Sequence, residues 1–257
     1  MILNNPVFFI GTDTPALEYT QSFLETNGYC VAPVPSRDVT HLILNIPTFT
    51  ADGSLAGGGN LTETLEKLPE NVTIIGGNLN NTFFQNYSTL DLLQNEVYLA
   101  ENAAITAECA LRVTFAHFHA VMKGTPVLLL GWGRIAKCLT KLLQAIGADV
   151  SIAARKEADI AIAHALGYEA MPLNHLIPQL SKYRIIFNTV PAMILPNSKN
   201  VHYRPDCLKI DLASKPGIAG SDVIIARGLP GKMAPESAGH LIAKTILEMS
   251  IRKEVST

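Results

Sequence analysis

A glycine-spaced hexapeptide, Gly131-Trp132-Gly133-Arg134-Ile135-Ala136, has the spacing that most directly indicates chemistry in this chain. It follows the apolar run Val127–Leu130 and opens the amphipathic stretch Arg134–Ile146, and a further apolar run, Asp149–Ala154, comes next. This order predicts a βαβ unit of the Rossmann type, in which glycine lets the backbone approach a pyrophosphate at the start of the helix. The alternative is an ordinary strand–glycine–helix turn.

The residues after the second strand of this unit indicate which dinucleotide binds. Enzymes that use NAD usually have Asp or Glu here, which binds the ribose 2′-hydroxyl. In this chain Ala154 is followed by Arg155 and Lys156, and the first acid is Glu157. Because a guanidinium can bind a 2′-phosphate through two hydrogen bonds, these residues predict NADP rather than NAD. The alternative is that Arg155 is simply solvated.

Two later turns follow predicted strands: Asn188-Thr189-Val190-Pro191, and Asp211 to Gly217. Ligands in open α/β sheets bind outside the carboxyl ends of the strands, so we expect the first turn near the nicotinamide ribose and the second near the ring. Lys215 could bind a substrate carboxylate or lie on the surface, and both interpretations stay open. The polar candidates around the reacting carbon are Asn188, Thr189, Ser214 and Lys215, and the further cofactor contacts are Val190, Pro191 and Ala213.

Strands alternate with helices along the whole chain, which predicts an α/β fold with two doubly wound parallel-sheet domains. We expect a smaller, flavodoxin-like substrate domain over residues 1–102 and a linking helix over residues 103–122. A Rossmann NADP-binding domain is predicted over residues 123–234. The C-terminal helix, residues 235–252, is expected to pack back on the first domain.

Composition narrows the function classes. The 257 residues are 48% apolar and 16% charged with a net charge of −2, and no basic face is evident, so nucleic acid is not expected as a partner. The four cysteines and seven histidines show no metal-ligand spacing, so no metal is predicted. The N-terminus does not resemble a signal peptide, and no apolar run is long enough to span a membrane. We expect a cytoplasmic protein.

Four segments together resemble the dipicolinate synthase A-chain family of spore-forming bacteria. They are GWGRIAKCLTKLLQAIGADVSIAARK, IIFNTVPA, KIDLASKPG and GLPGKMAPESAGHLIA, within Pro126–Ala243. The D-2-hydroxyacid dehydrogenases share only the glycine turn and the layout. They carry an arginine after the strand that here ends at Asp211, where this chain has Ala213-Ser214-Lys215.

The N-terminal half resembles the family more loosely. Asn102, Thr106 and Glu108 match a family N-x-x-x-T-x-E motif, although Ile105 replaces a proline and Cys109 a glycine. The family's Ser-Gly-Thr loop is here Thr48-Phe49-Thr50, and Phe49 adds bulk and removes backbone freedom. These departures leave the cofactor residues intact and fall on the half that should select the substrate.

The resemblance implies oxidation of a dihydrodipicolinate, derived from 4-hydroxy-tetrahydrodipicolinate, to the aromatic dicarboxylate during sporulation, with NADP accepting the hydride. It also implies a partner, the flavoprotein-like B chain of dipicolinate synthase, and we expect a homo-oligomer, most simply a dimer. The alternatives are another NAD(P)-dependent oxidoreductase of a small carboxylate and a nucleotide-binding module without catalysis. Glu108 could shuttle a proton or could face solvent. The catalytic candidates are Thr106, Ser214 and Lys215, for carboxylate contacts, and Glu108.

Overall fold

A computed structural model describes residues 5–255, with side chains described as far as residue 249. The chain divides into two compact units: unit 1 contains the residues up to Asn102 and those from Pro230 onward, and unit 2 contains Ala103–Leu229. The strands are β1 (Val7–Ile10), β2 (Cys30–Ala32), β3 (His41–Ile43), β4 (Thr73–Gly76), β5 (Ser88–Asp91), β6 (Pro126–Leu130), β7 (Asp149–Ala154), β8 (Glu169–Pro172), β9 (Ile185–Asn188), β10 (Leu208–Asp211) and β11 (Val223–Ile225). The α-helices are α1 (Pro15–Thr26), α2 (Leu61–Lys67), α3 (Glu96–His117), α4 (Arg134–Ala145), α5 (Glu157–Ala165), α6 (Leu229–Met233) and α7 (Pro235–Val255).

Unit 1 contains a five-stranded parallel sheet in the order β2-β1-β3-β4-β5. This is the flavodoxin-like order, in which the topological switch point lies between β1 and β3. Helix α7 packs on α1 at such short distance that a Cβ atom on Gly239 would lie 2.3 Å from the carbonyl oxygen of Ala16. The Thr20 hydroxyl joins the two helices by donating to the Gly239 carbonyl at 3.1 Å.

Unit 2 contains a six-stranded parallel sheet in the order β11-β10-β9-β6-β7-β8. Counted from β6, this is the Rossmann order, and its switch point lies between β6 and β9. The middle strands are buried on both faces, as expected where helices cover a parallel sheet. The predicted fold class, two doubly wound domains with a flavodoxin-like N-terminal one and a Rossmann C-terminal one, is confirmed.

The helix predicted over residues 103–122 is wrong in both bounds, because α3 runs from Glu96 to His117. Asn95 starts it: its side-chain oxygen accepts a hydrogen bond from the Tyr98 N–H at 2.9 Å, a standard N-cap. The first residues of α3, up to Asn102, therefore belong to unit 1 and the others to unit 2. The second unit also ends earlier than predicted, at Leu229 rather than at residue 234.

Strand β5 has no counterpart among the strands that the sequence predicts. Three of its four residues, Ser88–Asp91, are polar, and only Leu90 is buried. The strand lies at the edge of the unit 1 sheet. Edge strands are often short and carry polar residues, and therefore give a weak sequence pattern.

Candidate cofactor site

The site forms at the switch point of unit 2, where the chains leaving β6 and β9 turn away from each other. The Gly131 N–H donates to the Ala153 carbonyl of β7 at 2.8 Å, which fixes the start of the first turn. The Leu130 carbonyl accepts hydrogen bonds from the Thr189 N–H at 3.0 Å and from the Thr189 hydroxyl at 2.8 Å. These contacts hold the two turns together at the carboxyl edge of the sheet.

Gly131 is required by this geometry. Its φ is +99°, in the region that side-chain-bearing residues rarely adopt. A Cβ atom there would lie 2.7 Å from the Thr189 hydroxyl oxygen and 2.8 Å from Cγ2 of Val190. Of the predicted cofactor residues, the structure therefore brings Gly131, Thr189 and Val190 into direct contact.

The N-terminus of α4 leaves open space next to its first backbone N–H groups. Gly133 is the N-cap residue and offers no side chain to the helix, and no atom lies within 4 Å of the position that its Cβ would occupy. The first turn contains no acidic residue. Free N–H groups and the positive end of the helix dipole favour a phosphate here, so the residues present fit the pyrophosphate of a nicotinamide dinucleotide.

Arg155 and Lys156 are exposed directly beyond the carboxyl end of β7, while Ala154 before them is buried. Trp132 lies with its ring 5.8 Å from that of Tyr168 and is only 6% exposed. Its side chain packs with residues of β7 and α5, and its Nε1 is buried without a partner. The tryptophan therefore contributes its backbone to the glycine turn and its ring to the packing beneath it.

A buried Asn188–Asp211 pair supports the two later turns. One oxygen of the Asp211 carboxylate accepts from the Asn188 amide at 2.9 Å and from the Ala213 N–H at 3.1 Å. The other accepts from the N–H groups of Gly217 at 2.7 Å and Ile218 at 3.3 Å. Asn188 is fully buried, and both ends of its amide also bond to Val190. The sequence places Asn188 near the reacting carbon, but its side chain instead holds the turns in place.

This Asn188–Asp211 pair also explains the glycine in the Lys215-Pro216-Gly217 sequence. A Cβ atom on Gly217 would lie 2.1 Å from the Asn188 amide nitrogen. The two sequence motifs that follow β9 and β10 are therefore two halves of one hydrogen-bonded structure. Their function is to present the neighbouring backbone and side chains at the sheet edge.

Comparison with known proteins identifies relatives of this arrangement. The chain is 25% identical over 236 residues to the dipicolinate synthase A chain of Bacillus subtilis (strain 168), covering 84% of this chain and 79% of that relative. The predicted resemblance is confirmed. No family model matches.

Solved structures show the same fold. The dipicolinate synthase A chain from Bacillus subtilis superimposes with a TM-score of 0.81 at 22% identity, over 100% of this chain and 99% of that one. A transhydrogenase from Sinorhizobium meliloti gives a TM-score of 0.68 at 12% identity, over 95% and 94% of the two chains. The chain thus has the Rossmann-type fold that dehydrogenases share, including the D-lactate dehydrogenase of Escherichia coli at a TM-score of 0.60.

The predicted catalytic residues are distributed unevenly. Ser214 and Lys215 are exposed together in the turn after β10, next to the buried Ala213. Thr106 is buried on α3, whereas Glu108 on the same helix is exposed. Residues two apart on a helix do not share a face, so Thr106 and Glu108 point in different directions. Their catalytic assignments stay predictions.

Sequence reasoning misses Arg227. This residue follows β11, and its Nε donates to the Ala213 carbonyl at 2.8 Å, which brings a guanidinium to the turn that contains Ser214 and Lys215. A signal is present in the sequence, because Ala226-Arg227-Gly228 follows the last apolar strand at the same edge of the sheet. On sequence alone, however, this run resembles a structural connector.

A concave surface of about 1010 Å³ lies outside this site. It is lined by the first residues of β6, β7 and β8, at the opposite edge from the glycine turn. Because ligands of such sheets bind at the carboxyl edge, we assign the cofactor to the glycine turn and not to this concave surface. Within the described residues, no group of His, Cys, Asp and Glu could hold a metal ion, and no helix could cross a membrane.

Proposed function

We propose that the chain is an enzyme of the dipicolinate synthase A-chain type, an NADP-dependent oxidoreductase that acts in the cytoplasm of sporulating cells. The observation that carries this proposal is the open N-terminus of α4 behind Gly131 and Gly133, with Arg155 exposed beyond the adjacent strand. The Bacillus subtilis relative, a dipicolinate synthase chain by name, supports the substrate class. The proposal includes the B chain of dipicolinate synthase as a partner, and a homodimer.

The preference for NADP rests on the end of β7. In enzymes that use NAD, a carboxylate at the position of Ala154 accepts a hydrogen bond from the free ribose 2′-hydroxyl. This chain lacks that interaction. The exposed Arg155 guanidinium suits a 2′-phosphate, and Lys156 adds a second positive charge.

The proposed substrate, 4-hydroxy-tetrahydrodipicolinate, loses water to give a dihydrodipicolinate, which then loses a hydride and a proton to become aromatic. Bound NADP supplies the hydride acceptor. The chain itself supplies positioning, because aromatisation already favours the product. Ser214 and Lys215 would hold carboxylates. Because Thr106 and Glu108 point in different directions, only one of them would face the substrate, either Thr106 as a third contact or Glu108 as the proton acceptor.

Cofactor binding can be measured directly, because Trp132 is the only tryptophan of the chain and lies in the glycine turn. NADPH and NADH would be titrated against its fluorescence. Arg155→Ala should weaken NADPH binding by about tenfold or more and leave NADH unchanged, since only the 2′-phosphate contact is lost. Arg204→Ala, which removes an exposed arginine of the same unit, is the matched control. Equal affinity of the parent chain for both cofactors would remove the argument from Arg155.

Catalysis is tested with purified chain, NADP and freshly prepared 4-hydroxy-tetrahydrodipicolinate, with and without the B chain, by following pyridine absorbance. Product formation is expected in at least one condition. No product in either condition would exclude the dipicolinate synthase assignment. NADPH binding without turnover of any small carboxylate would indicate a nucleotide-binding module instead.

A second candidate, oxidation of a different small carboxylate, is favoured by one observation in unit 1. Phe49, at the position of the family's flexible glycine, packs against Phe84 with ring centres 5.9 Å apart and bridges to Leu55. A bulky, anchored residue replaces a flexible loop in the half expected to select the substrate. Turnover of a related carboxylate in preference to 4-hydroxy-tetrahydrodipicolinate would support this candidate.

A further inference from the structure

The guanidinium of Arg227 is held at the edge of unit 2 by one of its nitrogens only. Its Nε donates to the Ala213 carbonyl at 2.8 Å, so the side chain extends from the end of β11 toward the turn after β10. The side chain as a whole is only partly buried. The anchor fixes the plane of the guanidinium and leaves the two terminal nitrogens for another partner.

One of those terminal nitrogens is in an unfavourable position. Nη2 of Arg227 is shielded from solvent and has no hydrogen-bond acceptor. Buried donors in proteins are nearly always paired, and an unpaired charged donor needs a specific explanation. An acceptor oxygen that arrives with a ligand would supply the missing partner.

The part of the chain that the structure describes pairs no carboxylate with Arg227. Asp211 ends β10 at this edge of the sheet, and each of its two carboxylate oxygens already accepts two hydrogen bonds. Among the side chains that the structure describes, no carboxylate forms an ion pair with Arg227 or with Lys215. Two positive charges therefore lie near Ala213 with no ion-pair partner among the described residues, while the Asp211 carboxylate bonds only to neutral donors.

From this arrangement we infer that Arg227 binds a carboxylate of the substrate, and that Lys215 on the neighbouring turn attracts a second one. A planar guanidinium binds a carboxylate through two parallel hydrogen bonds, whereas the lysine acts as a point charge. The site thus selects a small dicarboxylate over a monocarboxylate. This inference rests on the proposed function and assigns its anion contact to a residue of unit 2.

The test uses the full chain with NADP present and measures binding by calorimetry. The probes are pyridine-2,6-dicarboxylate, pyridine-2-carboxylate and the uncharged pyridine-2,6-dicarboxamide. Arg227→Met should weaken binding of the dicarboxylate by about tenfold or more, and Arg227→Lys should weaken it less. The same variants should bind NADPH like the parent by Trp132 fluorescence. Arg204→Met, which removes another arginine of unit 2, should change neither affinity.

Unchanged dicarboxylate binding by Arg227→Met would overturn the inference, as would a parallel fall in NADPH affinity, which would indicate a structural or cofactor role. Should Arg227→Met fail to fold, Arg227→Lys keeps the charge and decides alone by its ratio of dicarboxylate to dicarboxamide affinity. A parent chain that binds NADPH but not the dicarboxylate refutes the inference and spares the cofactor assignment. Arg227-dependent binding without turnover refutes the proposed function alone.

Discussion

The first turn of each sheet can be compared directly, because both units place a glycine-containing turn between their first strand and the following helix. In unit 2 this turn leads into α4, whose N-cap is Gly133 and whose first turn has no acid. In unit 1 it leads into α1, where Asp13 precedes the helix and Glu18 lies in its first turn. The topology is similar and the charge at the helix N-terminus is opposite.

A cavity of about 370 Å³ forms at this turn of unit 1, lined by Ile10 to Thr14, Glu18, Gln21 and the glycines Gly57 to Gly59. Its two carboxylates would repel a pyrophosphate, since they occupy the end of the helix dipole that attracts anions. Sheet order therefore predicts where a ligand site lies in each unit. The side chains at the helix start decide what that site binds.

The largest expected difference between the units is in the stability lost when an aspartate at the end of a strand is removed. Asp211 is fully buried and accepts four hydrogen bonds, whereas the partly exposed Asp91 of unit 1 accepts two, from the N–H groups of Leu79 and Leu93. Asp211→Ala should destabilise unit 2 by about 3 to 5 kcal/mol, because it leaves buried donors without partners. Asp91→Ala should cost about 1 to 2 kcal/mol, since only two N–H groups lose their acceptor.

Denaturant unfolding followed by Trp132 fluorescence reports unit 2, and hydrogen exchange at β4 and β5 reports unit 1. Asp211→Asn provides the control, because it keeps the shape and part of the hydrogen bonding. Equal losses for the two alanine variants would show that the Asn188–Asp211 pair contributes no more than an ordinary turn.

A smaller effect is expected from exchanging the charge between the two helix starts. Arg134→Glu gives α4 an acid in its first turn, as α1 has, and should weaken NADPH binding by about tenfold to 100-fold through repulsion of the pyrophosphate. Arg134→Gln should have a weaker effect. Glu18→Lys makes the reverse change in unit 1 and should leave NADPH affinity at the parent value. An effect of Glu18→Lys equal to that of Arg134→Glu would contradict the distinction between the units.

The sequence predicts unit 2 better than unit 1 for a physical reason. A parallel strand buried on both faces is a continuous apolar run, and the run Asp149–Ala154 read from the sequence coincides with β7. The glycine turn likewise depends on local conformation, which residue type determines. In unit 1, β5 has no counterpart among the predicted strands, because it is a short edge strand with little apolar pattern.

The candidate site is harder to predict where it depends on contacts between distant segments. Asn188 and Asp211 are recognisable as polar residues at strand ends, but their mutual hydrogen bond at 2.9 Å depends on the pairing of β9 with β10. Arg227 reaches Ala213 only because β11 pairs with β10. No local pattern distinguishes such a contact from a solvated side chain.

The smallest expected difference between the units is in how the free energy of unfolding changes at alkaline pH. Burial raises the pKa of two thiols in unit 2, Cys109 and Cys207, the latter to about 11. Burial also raises the pKa of Tyr203 to about 12. Unfolded thiols lose their protons near pH 9, whereas the folded unit keeps them, so between pH 9 and 11 the folded state binds more protons. The free energy of unfolding must therefore fall as the pH rises through this range.

In unit 1 the thiol of Cys30 is exposed. Burial raises the pKa of the Tyr98 hydroxyl in that unit, but a phenol in the unfolded chain loses its proton only near pH 10. Between about pH 9 and 10, therefore, unit 2 should lose stability first. Trp132 fluorescence during unfolding at about pH 8, 9, 10 and 11 should show a loss of roughly 1 kcal/mol attributable to Cys207, allowing for its partial exposure. Cys207→Ala should make this dependence less steep, and Cys30→Ala should leave it unchanged. A slope that is the same with and without the Cys207 thiol would mean that water reaches this sulfur in the folded unit, and would contradict the prediction.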